Sequence, residues 1–143
     1  MSAIENKKAL AAACAELARG NAQPFRETLA DDCVWHMIGT TPWSGTYRGK
    51  DVILGRLLRP LREQFADQYT NAASRIVAED DVVVVECRGS VTTRSGKPYR
   101  NTYCWVCRME DGKIRELTEY MDTQLVAEVL EPPPPGAGAA AGG

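Results

Sequence analysis

The spacing of apolar residues changes period part-way along the chain. Over residues 4–19, Ile4, Leu10, Cys14 and Leu17 fall near one side of a helical projection, which predicts an amphipathic helix. Gly20-Asn21, two residues that tolerate positive φ, predict its end. Pro24 suits the first turn of a second, short helix reaching about Ala30, with Phe25 and Leu29 on its buried side. Cys33 to Ile38 (CVWHMI) predicts a strand, and GTTPWSGTYRG a loop after it. Asp51 then lies near the start of a third helix, where a carboxylate favours the helix dipole. Ile53, Leu57, Leu61 and Phe65 repeat every four residues along it, and Pro60 should kink or split it.

From about Gln68 the pattern becomes that of extended chain. Strands are predicted near residues 68–79, 82–94, 99–109 and 113–122, separated by Glu79-Asp80-Asp81, Ser95-Gly96 and Asp111-Gly112. Ser-Gly and Asp-Gly between apolar runs are hairpin signals. A last short helix, about Gln124 to Leu130, would bury Leu125, Val126, Val129 and Leu130. Helices first and antiparallel strands after predict an α+β fold in which helices lie on one face of a bent sheet. Such a curved sheet closed by helices leaves a concave mouth suited to a small molecule.

Composition narrows the picture. The chain has 143 residues, the size of one domain, and its last 13 read EPPPPGAGAAAGG. Four prolines followed by Gly and Ala cannot build a packed core, so residues 1–130 are expected to form the domain and 131–143 a disordered tail. Lys and Arg total 17 against 19 Asp and Glu, a net charge of −2 without a basic block. That balance argues against nucleic acid or an anionic membrane as partner. No stretch approaches the roughly 20 apolar residues of a membrane span. Five cysteines, an odd count, without a secretory signal pattern predict free thiols and a reducing, cytoplasmic setting.

The order of elements, the segment LADDCVWHMIGTTPWSGTYRGKD, the hairpin MEDGKI and the ending ELTEYMDTQL resemble the nuclear transport factor 2-like superfamily. Within it the chain is most similar to the SnoaL-like and ketosteroid isomerase-related group, over about residues 5–130. The resemblance implies a cone of helices wrapped by a strongly curved sheet, usually paired as a homodimer through the outer sheet face. It also implies a small apolar guest, and a choice among isomerases, cyclases, dehydratases, epoxide hydrolases and non-catalytic binders.

Candidate chemistry starts with His36, the sole histidine. By the same resemblance it falls where steroid isomerases place their general base, and an imidazole can take a proton near neutral pH. Glu119 and Asp122 sit three apart in the last strand, so only one can face the interior unless the strand ends or bulges between them. A cavity carboxylate could orient His36 or serve as the base itself, and Asp122 could instead cap the helix that follows. Trp35, Trp43, Tyr47 and Tyr103 are the candidate guest-binding aromatics, Trp43 and Tyr47 as loop residues over the pocket. The tyrosine and second aspartate that donate to the steroid isomerase oxyanion are absent, their positions falling in Ala12-Ala13-Cys14 and near Cys104. Glu86, inside VVVVECRG, calls for a cationic partner such as Arg88, Arg100 or Arg108.

No cofactor or metal is implied. Cys104-x-x-Cys107 lies mid-strand, with its thiols on opposite faces, unlike redox or zinc pairs. Gly39, Gly45 and Gly49 do not form a phosphate loop. Two functions fit: a cofactor-free isomerase, cyclase or hydratase working by acid–base chemistry, or a non-catalytic binding or assembly module of the same fold.

Overall fold

A computed structural model describes residues 1–140. The elements run α1 (Ala3–Ala18), α2 (Gln23–Glu27), β1 (Leu29–Met37), β2 (Gly45–Arg48), α3 (Lys50–Val52), a π-helical segment (Ile53–Leu58), α4 (Arg59–Arg62), β3 (Thr70–Glu79), β4 (Val82–Thr92), β5 (Pro98–Tyr99), β6 (Thr102–Glu110), β7 (Lys113–Met121) and α5 (Thr123–Val129).

The strands form one sheet in the order β2-β1-β7-β6-β4-β3, with β5 beside β4. All pairs are antiparallel except β1 with β7, which is parallel. Register breaks at Leu29/Val34, Ala73/Arg75 and Arg108/Met109 mark bulges. Bulges bend strands and increase twist, and here they accompany a strongly curled sheet that α1, α2 and the π-α4 segment roof on its concave side. This is the expected α+β cone.

Side-chain alternation sorts the sheet into two faces. Cys33, Trp35 and Met37 of β1, Leu117 and Glu119 of β7, and Tyr103, Trp105 and Cys107 of β6 are buried. Their neighbours in sequence form the outer face, where Glu86 finds its cation in Arg75 of β3 rather than in Arg88, Arg100 or Arg108.

Several boundaries differ from expectation. A capping box closes α1: Ser2 Oγ accepts from the Glu5 N–H and Glu5 Oε1 from the Ser2 N–H. The buried face of α1 is Asn6, Leu10, Ala13, Cys14 and Leu17, leaving Ile4 in solvent. α2 stops at Glu27, and Leu29 already belongs to β1. β2 lies inside the segment expected to be loop. The third helix is split as Pro60 requires, through a π segment.

The C-terminal segment is the largest correction. Glu131–Ala140, expected to be an unstructured tail, lies along the body; 141–143 fall outside the described residues. The Trp43 Nε1–H donates to the Glu131 carbonyl at 2.8 Å, and Gln64 exchanges hydrogen bonds with the Glu131 backbone at 2.9 and 3.0 Å. Pro60 has no N–H to offer the Arg56 carbonyl four residues earlier. The Gly138 N–H takes that acceptor at 2.7 Å, and Arg56 Nε–H returns a bond to the Gly138 carbonyl at 3.0 Å. Backbone polar groups, invisible to a composition argument, thus hold the segment down.

Candidate active site

A cavity of about 410 Å³ lies between the concave sheet and the helical roof. Leu57, Leu58, Leu61 and Phe65 cover it, Phe25 and Leu17 close one side, and Trp35, Trp105, Tyr103 and Glu119 form the sheet wall. A separate depression on the outer face, between Glu86, Arg88, Cys104 and Tyr120, is open to solvent and lacks a carboxyl set among apolar walls.

Among the described residues Glu119 is the one acidic side chain buried in the core, 7 % exposed. It lies between two tryptophans on flanking strands. Trp105 is directly across from it on β6, and Trp35 one step away on β1, opposite Leu117. The Trp35 Nε1–H donates to Oε1 at 3.3 Å and the Trp105 Nε1–H to Oε2 at 3.0 Å. The two effects on the carboxyl oppose each other. Burial disfavours the anion, while two N–H donors favour it. Burial dominates and pushes Glu119 up to about 7.

Three tyrosines, Tyr69, Tyr99 and Tyr103, line the same cavity. Buried amides orient two of them: Asn71 Nδ2 donates to the Tyr69 oxygen and Asn101 Nδ2 to the Tyr99 oxygen, each at 3.0 Å. The Tyr103 hydroxyl approaches the Tyr99 oxygen at 3.5 Å. With Asn101 and Tyr103 directed at its oxygen, Tyr99 has its own proton left to donate. Burial raises all three phenols above their ordinary range, so they stay protonated as donors. Gly89 makes room for Tyr69, since a Cβ there would lie 2.5 Å from its hydroxyl oxygen. Among the described residues no group of three His, Cys, Asp or Glu side chains could hold a metal ion, and no helix is long and apolar enough to cross a membrane.

Residues 10–117 match the SnoaL-like domain family. The chain belongs to that family. No curated protein matches it. Among solved structures it is similar to Bal32a from a soil-derived mobile gene cassette, at 20% identity and a TM-score of 0.76 over 90% of this chain and 98% of that one. It is also similar to an NTF2-like protein from Burkholderia thailandensis E264, at 29% identity and a TM-score of 0.74 over 89% and 98%. A third similar structure is TerC co-crystallised with polyporic acid, at 21% identity and a TM-score of 0.73 over 87% and 97%. These likenesses agree with the fold described above.

Within this SnoaL-like domain the candidates from sequence separate. Glu119, Trp35 and Tyr103 line the cavity. His36 does not, which corrects its expected place. It follows Trp35 on a strand, so its ring points to the outer face. There Nδ1 lies 3.0 Å from Thr46 Oγ1 and Nε2 2.7 Å from Glu116 Oε2. That hydrogen bond holds the Glu116 carboxyl below the usual range.

Asp122 is likewise not in the cavity. Its Oδ1 accepts from the Leu125 N–H at 3.2 Å, capping α5. Trp43 and Tyr47, expected over the pocket, are 1 % and 0 % exposed and do not line it. The Tyr47 hydroxyl donates to the Trp43 carbonyl at 2.6 Å, and the C-terminal segment covers both. Burial pushes Tyr47 up to about 12. Tyr69 was not among the sequence candidates for the site. Trp105 shares a strand face with Tyr103 and was legible by alternation, whereas Tyr69 precedes its strand and carries no periodic signal.

Proposed function

We propose that this SnoaL-like domain is a cofactor-free acid–base catalyst of the isomerase, cyclase or hydratase kind, acting on a small ring-bearing molecule held in the cavity. Glu119 is the proton carrier. As carboxylate it takes a proton from a carbon next to a carbonyl, and the released electron pair moves into an enolate. The Tyr99 hydroxyl donates to the oxygen where that charge collects. Glu119 then returns the proton to the same or another carbon, closing the cycle without net redox change. With water in place of the carbon acid, the same carboxylate activates it for addition or ring opening. The reading carries over to a homodimer paired through the outer sheet face and a cytoplasmic setting.

One observation carries this reading: a single buried carboxyl among apolar walls, with a proton affinity near neutral. General acid–base groups work best when their pKa lies close to the operating pH. The co-crystal of TerC with polyporic acid adds support for a small-molecule guest in this fold.

The test uses proton exchange, which needs no known product. A panel of cyclic ketones headed by 2-tetralone is incubated with the protein in D₂O and the α-protons are followed by NMR. Exchange should exceed buffer, rise with pH through about 7, and fall roughly 100-fold or more in Glu119→Gln. An unchanged rate in that variant overturns the mechanism. Ligands that quench tryptophan emission without any exchange across the panel favour the binding module.

A further inference from the structure

The cavity is polarised end to end. Its inner wall carries Trp35, Phe25 and the acid Glu119, while its solvent-facing rim carries two arginines, Arg26 beside α2's Phe25 and Arg62 at the end of α4. Neither guanidinium is in an ion pair among the described residues. On the outer face Arg75 pairs with Glu86, Arg108 with Glu110 and Glu116, and Arg115 with Asp32 and Glu110, whereas Arg48 and Arg88 are in no ion pair among the described residues and stand away from the cavity. Among the described residues the one acid on the rim is Asp67, whose Oδ1 accepts from the Thr92 N–H at 2.8 Å. The rim is therefore net positive and its two fork-shaped donors are free for a guest.

We propose that the guest is an amphipathic carboxylate, its ring against Trp35 and Phe25 and its carboxylate held at the rim by Arg26 and Arg62. The reversed orientation fails on two counts. It would bring an anion against Glu119 in an apolar interior, where like charges repel and desolvation is costly. It would also leave both guanidinium groups facing the ring. Arg26 and Arg62 thus set substrate class and direction of entry, and fix which carbon of the ring system meets Glu119. This inference rests on the proposed function for the identity of the reacting end, but not for the binding preference.

The test compares aryl carboxylates, headed by 2-naphthoate, with their methyl esters, using quenching of tryptophan emission at low ionic strength. The acid should bind about tenfold more tightly than its ester, as charge-assisted bonds to a carboxylate predict. The preference should shrink with salt. It should disappear in an Arg26→Gln/Arg62→Gln double variant, whose affinity for the acid falls to about that for the ester. Both positions are on the surface side of the roof, and a circular dichroism melt confirms that the variant is folded. No acid in the series binding more tightly than its ester overturns the proposal, as does a preference that survives the double variant. Glu119→Gln should lose exchange yet keep the preference for acids. In the unaltered protein, exchange without a preference for acids sinks the carboxylate proposal alone, and a preference for acids without exchange sinks the acid–base reading alone.

Discussion

Replacing Glu119 by Gln separates the charge of the buried carboxyl from its shape. Burial raises the group from its ordinary 4.5 to about 7. A raised acid binds its proton more tightly in the folded chain than in the unfolded one. Its contribution to stability is complete below pH 4.5 and is lost as the pH climbs to about 7. At about 1.4 kcal/mol for each tenfold difference in proton affinity, that loss comes to roughly 3 kcal/mol. The Glu119→Gln chain has no such titration. Its amide NH₂ must face one of the two indole N–H donors, Trp35 or Trp105, and this adds a cost that does not change with pH. The slope therefore discriminates, and the offset does not. Thermal unfolding is followed by circular dichroism between pH 4 and 8 at fixed ionic strength. Every other carboxylate titrates in both chains and cancels in the difference. Over that range the difference should move in favour of the variant by about 3 kcal/mol, or on the order of 10 °C in Tm for a domain of this size. Parallel curves would refute the reasoning, because they would mean that Glu119 titrates alike in the folded and unfolded states.

Two further outcomes follow from the same geometry. Truncation after Leu130 removes the acceptor of the Trp43 indole and both bonds between Arg56 and Gly138. It should cost about 2–4 kcal/mol in urea unfolding and shift tryptophan emission to the red; an unchanged midpoint and spectrum would show that the segment is not held. His36→Ala cuts a half-exposed pair with Glu116 on the outer face and should cost no more than about 1 kcal/mol. Proton exchange in the cavity should be unaffected, and a fall in its rate would return His36 to the chemistry.

The α+β cone was legible because its large elements announce themselves. The fourfold spacing of Ile53, Leu57 and Leu61, and the turns at Ser95-Gly96 and Asp111-Gly112, are strong local signals. β2 was not, because four residues between glycine-rich turns cannot display a period. The parallel pairing of β1 with β7 joins segments some 80 residues apart and leaves no local mark. The site was half legible by one rule applied unevenly. Alternation along a strand separates Glu119 from Asp122, and it equally separates Trp35 from His36. With Trp35 taken as a wall of the cavity, His36 had to face outward. What alternation cannot supply is the neighbour across the sheet. That Trp105 lies opposite Glu119 depends on the β6–β7 register, and a one-residue slip would turn every inward side chain outward.

The register also explains why the acid is tolerated in the core. A carboxyl at this depth flanked by leucines would lose its water and gain no donor, an uncompensated burial. The sheet instead places an indole on each adjacent strand, and each supplies apolar surface with one N–H aimed at a different carboxylate oxygen. The same two side chains therefore exclude water, which raises the proton affinity, and hydrogen-bond the anion, which lowers it. Neither influence alone leaves the group near neutrality. Desolvation without the indoles would keep the proton bound, and two donors in an open cleft would release it at low pH. The opposition between them makes one residue able both to take a proton and to give it back. It requires three side chains on the same face of three adjacent strands, Trp105 opposite Glu119 and Trp35 one step along, with the helical roof keeping solvent from the carboxyl.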